Sequence, residues 1–230
     1  MPCNWKMLPA GSEKGQCAAR TFSVNGKVYQ PAGNYYDKYN TRNPVARALM
    51  QGFLKSFDEL VAMSGSPGTA LEIGCGEGEL SMRLARTGWQ VRGCDIAAEA
   101  VDEAIRRAAA ATLSIPFEQR GIEECAGAYP VQDLVVCCEV MEHLEDSLAA
   151  LDTLAGLSRR HVLVSVPREP IWRVLNMARG RYLPALGNTP GHIQHWSTRA
   201  FVELLGQRLD VQAVRSPLPW TMALCRVRTP

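Results

Sequence analysis

The sequence has little net charge: 25 Lys and Arg against 23 Asp and Glu leave a formal +2. No global field of that size makes nucleic acid or an anionic membrane an obligatory partner. Nor is there an apolar run approaching the roughly 20 residues a membrane-spanning helix needs, which leaves only contact with a membrane surface open. No CxxC pair occurs among the eight cysteines, and Cys137 and Cys138 sit side by side in an apolar run. With no secretory signal pattern at the start, reduced thiols in a cytoplasmic protein are expected rather than a disulfide framework. Internal repeats and low-complexity tracts are also missing. What is present is ample core-forming material, 47% hydrophobic against 21% charged over 230 residues, enough for one domain with appendages. Charge is uneven locally. Between Ile122 and Asp152 there are eight carboxylates and no Lys or Arg, whereas Arg159 to Arg181 holds six arginines and the single acid Glu169.

Residues 1–40 read as a leader followed by a small hairpin, because Phe22 to Tyr29 alternates about Asn25-Gly26, a pair suited to a type I′ turn. Pro44 then opens a helix whose apolar residues recur at Val45, Leu49, Phe53, Leu54, Phe57, Leu60 and Val61. From Ala70 strands and helices alternate: strand 70–73, helix 77–87, strand 90–94, helix 98–111, strands 116–120 and 133–138, helix 147–157, strand 161–166. This rhythm predicts an α/β fold, a doubly wound sheet with helices on both faces. Residues 41–166 form the first part of that core. Four prolines and Gly180, Gly187 and Gly191 break the pattern over 167–196, read as an insertion at the sheet edge. Residues 197–230 return to the core with helix 198–209 and strands 211–215 and 222–227, making about seven strands.

Directly after the first core strand, Gly74, Gly76 and Gly78 precede a helix, where missing side chains permit a tight turn and close approach of a ligand to the backbone. The spacing is not that of the dinucleotide fingerprint, and a plain tight turn would account for it alone. Glu72 within the strand and Asp95 at the tip of the next one, 21 residues beyond Gly74, add acids where ribose hydroxyls can be held.

With those residues in place, the stretch from Ala70 to Val227 resembles the class I S-adenosylmethionine-dependent methyltransferases, a Rossmann-like fold with an antiparallel last strand. The resemblance implies a cofactor site for S-adenosylmethionine in which Gly74 and Gly76 line the methionine moiety, with Cys75 and Gly78 in the same loop and Glu72 near the end of the strand before it. Asp95 would hold the ribose and Ile96 would lie on the adenine. Family members often carry an Asp after the third strand; here Gly121 is followed by Ile122, so Glu123 or a backbone carbonyl would have to serve. Tyr35, Tyr36 and Tyr39 resemble the aromatic N-terminal caps that cover the cofactor, with Tyr36 as the candidate contact.

The fourth strand runs into Glu139-Val-Met-Glu142-His143-Leu-Glu145-Asp146. On a helical turn Glu139, Glu142 and His143 share one side, and two carboxylates with an imidazole suit a divalent cation such as Mg²⁺. A further ligand would come from His192 or His195. This wording resembles ubiquinone-biosynthesis O-methyltransferases and the enzymes that methylate the terminal ribose of small RNAs, where two Glu and a His hold a cation against substrate hydroxyls. A similar pattern also serves without metal, with Glu139 near the cofactor and His143, His192 or His195 as base, so both readings stand. Four carboxylates in eight residues repel unless a cation, protons or water relieve them, which argues against a noncatalytic scaffold.

The expectation is therefore transfer of a methyl group to a small-molecule hydroxyl, with His143, Glu139, His192 and His195 as candidate catalytic groups. An amine or carbon acceptor with histidine as base is the alternative. Near-neutral charge and the want of accessory RNA-binding sequence count against nucleic acid. The arginine-rich insertion is read as a lid that could touch a membrane surface. Neither the acceptor's identity nor the oligomeric state is legible.

Overall fold

A computed structural model describes residues 22–24, 27–29 and 43–228. Strands β1 (Phe22–Val24) and β2 (Lys27–Tyr29) pair antiparallel, as the hairpin reading requires. The expected turn at Asn25-Gly26 and the candidate Tyr36, with Tyr35 and Tyr39, lie outside the described residues.

Helix α1 (Pro44–Met63) begins with Pro44 at its first position, and the Asn43 side chain accepts from the backbone N–H of Val45 (2.9 Å) and Ala46 (3.2 Å). Such a cap satisfies donors that the first turn leaves without intrahelical acceptors. Its core stripe is Met50, Phe53, Phe57, Leu60 and Val61. Val45, counted with the apolar face from periodicity, is exposed in that first turn.

Seven strands form the central sheet: β3 (Thr69–Ile73), β4 (Gln90–Asp95), β5 (Phe117–Gln119), β6 (Gln132–Cys138), β7 (Ser158–Pro167), β8 (Leu209–Arg215) and β9 (Trp220–Val227). Their order is β5-β4-β3-β6-β7-β9-β8. The first five run parallel, while β9 runs antiparallel to both neighbours and slots between β7 and β8. The doubly wound α/β sheet expected from the alternation is present, as is the antiparallel last strand that the resemblance implies. Along β6, Leu134, Val136 and Cys138 enter one apolar cluster with Phe53, Phe57 and Leu60 of α1, while Val135 and Cys137 enter the other. A period of two across a sheet covered on both faces produces this near-continuous apolar run. Each buried Phe or Leu contributes on the order of 1.5–3 kcal/mol.

The remaining helices are α2 (Glu79–Arg86), α3 (Ala98–Ala110), α4 (Ser147–Leu157), α5 (Ile171–Ala178) and α6 (Thr198–Leu205). Two differ from the periodicity reading. Helix α2 starts two residues later than expected because Gly78 adopts a left-handed conformation before it. Helix α6 stops at Leu205, before Gly206, and Leu209 already belongs to β8. Strand β7 begins at Ser158, three residues before His161, and its ten residues span roughly 30 Å. That length divides the arginine run. Arg159 and Arg160 lie at the amino end of β7, and Arg168 to Arg181 lie beyond its carboxyl end, so the six do not make one basic patch.

The insertion starts and finishes at one point, a parallel bridge between Arg168 and Trp196. Between them lie α5 and a short 3-10 turn at Leu183–Ala185. Several of its polar groups are turned inward: Arg173 donates to the carbonyl of Leu186 (3.1 Å), Asn176 to that of Gly187 (2.9 Å), and the Trp172 indole to Thr189 Oγ1 (2.9 Å). No described helix is long and apolar enough to cross a membrane.

A candidate cofactor loop and histidine pair

The carboxyl ends of β3, β4 and β6 bring the sequence-predicted groups to one edge of the sheet. The glycine loop is tied down by its neighbour strand: Gly74 N and Cys75 N both donate to the carbonyl of Cys94, at 2.8 and 2.9 Å. Gly78 N closes the turn on Cys75 O at 2.9 Å. Gly74 has φ +74°, and a Cβ there would collide with the Val140 side chain. Gly76 has φ +52°, yet a Cβ there would meet nothing within 4 Å. Gly74 is thus demanded by packing, whereas Gly76 faces open space that a ligand can approach.

Asp95 joins the loop to the tip of β4. Its Oδ2 accepts from Gly76 N at 2.8 Å and its Oδ1 from Ala97 N at 2.9 Å. Burial raises its pKa, opposed by those N–H donors. Each carboxylate oxygen has a second lone pair, so acceptor capacity for a pair of hydroxyls is retained. Nearby, a Cβ on Gly121 would stand 3.1 Å from Glu123 Oε2 and 3.6 Å from Ile96 Cδ1, which groups those three residues beside Asp95. Ile122, by contrast, is 5% exposed and packs in the core, leaving only its backbone toward the edge. Glu72 is also withdrawn: it is buried and takes a hydrogen bond from Ser81 Oγ of α2, so it braces the loop from below. Cys75 is buried, and burial pushes its thiol pKa well up.

Across the sheet edge the acidic run resolves differently from the helical-turn expectation. Glu139 has φ +60°, so it diverges from the 3-10 turn Met141–His143 that follows. Its carboxylate accepts from Trp220 Nε1 at 2.6 Å and Ser165 Oγ at 3.0 Å. Glu142, His143 and His192 do converge, with ligand atoms all within 4.8 Å of one another. Glu139 is not part of that group. His195 is also apart, exposed, with Nε2 2.7 Å from Asn188 Oδ1. Asp146 caps α4, accepting from Leu148 N (3.0 Å) and Ala149 N (2.9 Å). The fold thus supplies donors of its own to two of the four carboxylates, Glu139 and Asp146.

The return segment of the insertion is sewn to this turn. Ile193 N and Gln194 N donate to the Glu142 carbonyl, at 2.9 and 3.1 Å, and His143 Nδ1 stands 2.8 Å from the Gly191 carbonyl. A carbonyl can only accept, so Nδ1 carries the proton and Nε2 keeps its lone pair. That Nε2 lies 4.0 Å from Glu142 Oε1. His192 is 8% exposed, packs edge-on against His143 (4.9 Å between ring centroids) and stacks on Trp172 (5.9 Å). Burial lowers the pKa of both imidazoles, that of His192 to about 3, where the neighbouring imidazoles of His143 and His195 oppose a further proton. Both rings are neutral at neutral pH, the form in which an imidazole accepts a proton or binds a metal.

Comparison with known proteins gives the family of the chain. The methyltransferase domain family model matches residues 45–213. The chain belongs to the class I S-adenosylmethionine-dependent methyltransferases. Ubiquinone biosynthesis O-methyltransferases are among the relatives of this methyltransferase. That of Xanthomonas campestris pv. campestris (strain B100) is 34% identical over 102 residues, 44% of this chain and 43% of the relative. That of Aeromonas salmonicida (strain A449) is 33% identical over 117 residues, 49% of each chain. The match thus spans about half the length of these curated relatives. Among solved structures, magnesium protoporphyrin IX methyltransferase from Synechocystis PCC 6803 with bound SAH superposes with a TM-score of 0.65 at 22% identity, covering 83% of this methyltransferase and 91% of that chain. An N-methyltransferase from Bradyrhizobium japonicum WM9 in complex with S-adenosyl-l-homocysteine gives 0.63 at 18%, covering 86% and 94%. At such identities these two establish the fold alone.

Two contributors were invisible to sequence reasoning, Trp220 and Ser165, both delivered to Glu139 by strands distant in the chain. A groove of about 620 Å³ lies at the opposite, amino-terminal ends of the strands, among Thr69, Trp89, Gln90 and Arg159. Neither the glycine loop with Asp95 nor the Glu142–His143–His192 group lines it.

Proposed function

We propose that this methyltransferase moves a methyl group from S-adenosylmethionine to a hydroxyl oxygen of a small molecule. The observation that carries the reading is the pairing of two half-sites on one sheet edge: a glycine loop linked to Asp95, and a neutral His143 whose Nε2 is unprotonated. Gly74, Cys75, Gly76 and Gly78 would follow the methionine end of the cofactor, Asp95 the ribose hydroxyls, and Ile96, Gly121 and Glu123 the base. Bound S-adenosylmethionine supplies an electrophilic methyl on a sulfonium. The chain's task is then to hold the acceptor in line, about 3 Å from that carbon, and to take up its proton.

An acceptor hydroxyl beside His143 gives its proton to Nε2 as its oxygen forms the new bond to carbon; the carbon–sulfur bond breaks with its electron pair, leaving S-adenosylhomocysteine. His192 and Trp172 would wall the acceptor. Glu142, His143 and His192 also fit a divalent cation by donor type and spacing, and such an ion would supply Lewis acidity toward the acceptor oxygens. One Nε2 lone pair cannot serve metal and proton together, so these are exclusive versions of the same reading. The small-molecule O-methylation named for the relatives supports the hydroxyl over the amine.

The test is a cofactor-consumption screen over catechols, phenols, sugars, amines and carboxylates, each with and without EDTA. Turnover confined to hydroxyl compounds is expected. Turnover confined to amines would overturn the oxygen assignment, and no binding of S-adenosylmethionine by calorimetry would overturn the reading entirely. Loss of turnover in EDTA, restored by Mg²⁺, would select the metal version.

A further inference from the structure

Glu139 is tied through its neighbours to both halves of the site. It is the first residue beyond β6, the strand beside β3, and its neighbour Val140 fills the place a side chain on Gly74 would take. On its other side, its carboxylate is held by Trp220 Nε1. Trp220 in turn packs 5.9 Å from Trp172, which stacks on His192, while Phe53 of α1 meets Trp220 edge-on at 5.1 Å. A single indole therefore connects the carboxylate that follows β6 to the wall of the histidine pair.

The backbone of Glu139 is unusual as well. A non-glycine residue at φ +60° costs about 1–2 kcal/mol and persists only where its surroundings impose it. Here three bonds do so: Glu139 N to the Ser165 carbonyl (3.0 Å), Ser165 Oγ to Oε1 (3.0 Å) and Trp220 Nε1 to Oε2 (2.6 Å). Hydrogen bonds to an ionised carboxylate are short and strong, and they favour the charged form. Glu139 thus stands between Val140, which packs against Gly74 of the proposed cofactor half, and Trp220, which packs against Trp172 of the proposed acceptor wall.

We infer that Trp220 is a positioning residue that, with Ser165, sets the Glu139 carboxylate beside the positive sulfonium of the cofactor. The inference rests on the reading above. A negative group there favours cationic ligands over S-adenosylhomocysteine, whose sulfur is neutral. It also holds the charged end of the cofactor next to the acceptor wall that the same indole supports.

Affinities of wild type and variants for S-adenosylmethionine, S-adenosylhomocysteine and sinefungin, which carries an ammonium in place of the methylsulfonium, test this by calorimetry. Trp220→Phe keeps the packing and removes the donor. It is expected to reduce the preference for sinefungin over S-adenosylhomocysteine by about tenfold, and Ser165→Ala by about threefold. Glu139→Gln is expected to abolish the preference, and Trp220→Phe should then add nothing in that background. Equal weakening for all three ligands in Trp220→Phe, or an unchanged preference in Glu139→Gln, would overturn the inference. Circular dichroism reports folding; if Trp220→Phe does not fold, Ser165→Ala and Glu139→Gln decide the matter. A wild type that binds none of the three sinks the proposed function itself, a separate outcome.

Discussion

The Val140 side chain occupies the space that a Cβ on Gly74 would need, so the turn after β6 and the loop after β3 are interlocked. Gly76, two residues on, has open space above it. The two glycines should then fail differently. Gly74→Ala must displace Val140 as well as strain a φ of +74°, and is expected to cost about 1–3 kcal/mol and to weaken S-adenosylmethionine binding. Gly76→Ala should cost only about 1 kcal/mol of backbone strain yet weaken binding at least as much. Urea unfolding and calorimetry on both variants check this; binding unaffected in Gly76→Ala would mean that the open space is not the cofactor's.

Asp95 accepts from the backbone at both oxygens, one of these bonds coming from Gly76 of the loop itself. Asp95→Asn retains one acceptor oxygen and loses the charge. Affinity for S-adenosylmethionine is expected to fall about 10- to 100-fold, the range for a lost charge-assisted hydrogen bond. Calorimetry would show it, and an affinity within about twofold of wild type would remove Asp95 from the cofactor site.

The sheet and the loop were legible because their signals are local. The largely apolar strands at 70–73 and 133–138, each carrying a single acid, are what a sheet covered on both faces demands, and Gly74, Gly76 and Asp95 stand at strand tips, where ligands of such sheets bind. The acceptor side was only half legible. Glu139, Glu142 and His143 were expected to share one side of a helical turn, but the left-handed backbone at Glu139 breaks that turn before it starts. Pairing His143 with Gly191 and His192 depends on a segment nearly fifty residues away, and Trp220 arrives on a strand inserted between β7 and β8. No local pattern encodes those approaches. Charge was misleading for a related reason: Asp146 is spent on capping α4 and Arg173 on carbonyls of its own segment.

Away from the site, Asp133 fastens the start of β3 to β6. Its Oδ2 accepts from Thr69 N at 2.9 Å and Thr69 Oγ1 at 3.2 Å, and Arg159 lies 3.6 Å from Oδ1. The Thr69 N–H, chiefly, holds its pKa below the ordinary carboxylate value. A depressed native pKa means that the unfolded chain binds the proton first. The stabilisation is complete above the unfolded pKa, about 4, and is lost as pH falls through the lower native value. Asp133→Asn should therefore be less stable than wild type by about 1–2 kcal/mol near neutral pH. The gap should narrow below about pH 4. Urea unfolding of both proteins across that range reads it directly, and a gap that widens in acid would contradict the sign.

His143 donates from Nδ1 to Gly191, and its ring packs against His192, so its Nε2 is presented in one tautomer and one orientation. Whether that nitrogen takes a proton or ligates a cation, removing it should leave the glycine loop and Asp95 undisturbed. His143→Gln is expected to lower turnover by about 100-fold or more, the usual contribution of a positioned base. Affinity for S-adenosylmethionine should remain within about threefold. Glu142→Gln separates the two versions, because a cation site loses a charged ligand whereas a proton-accepting Nε2 loses only a neighbour 4.0 Å away. Turnover of Glu142→Gln that responds to added Mg²⁺, alongside EDTA-sensitive wild type, would assign the cluster to metal. Turnover indifferent to EDTA but falling with acid would assign it to the base. Full activity in His143→Gln would remove the histidine pair from the chemistry altogether and return the acceptor side to the carboxylate that Trp220 holds.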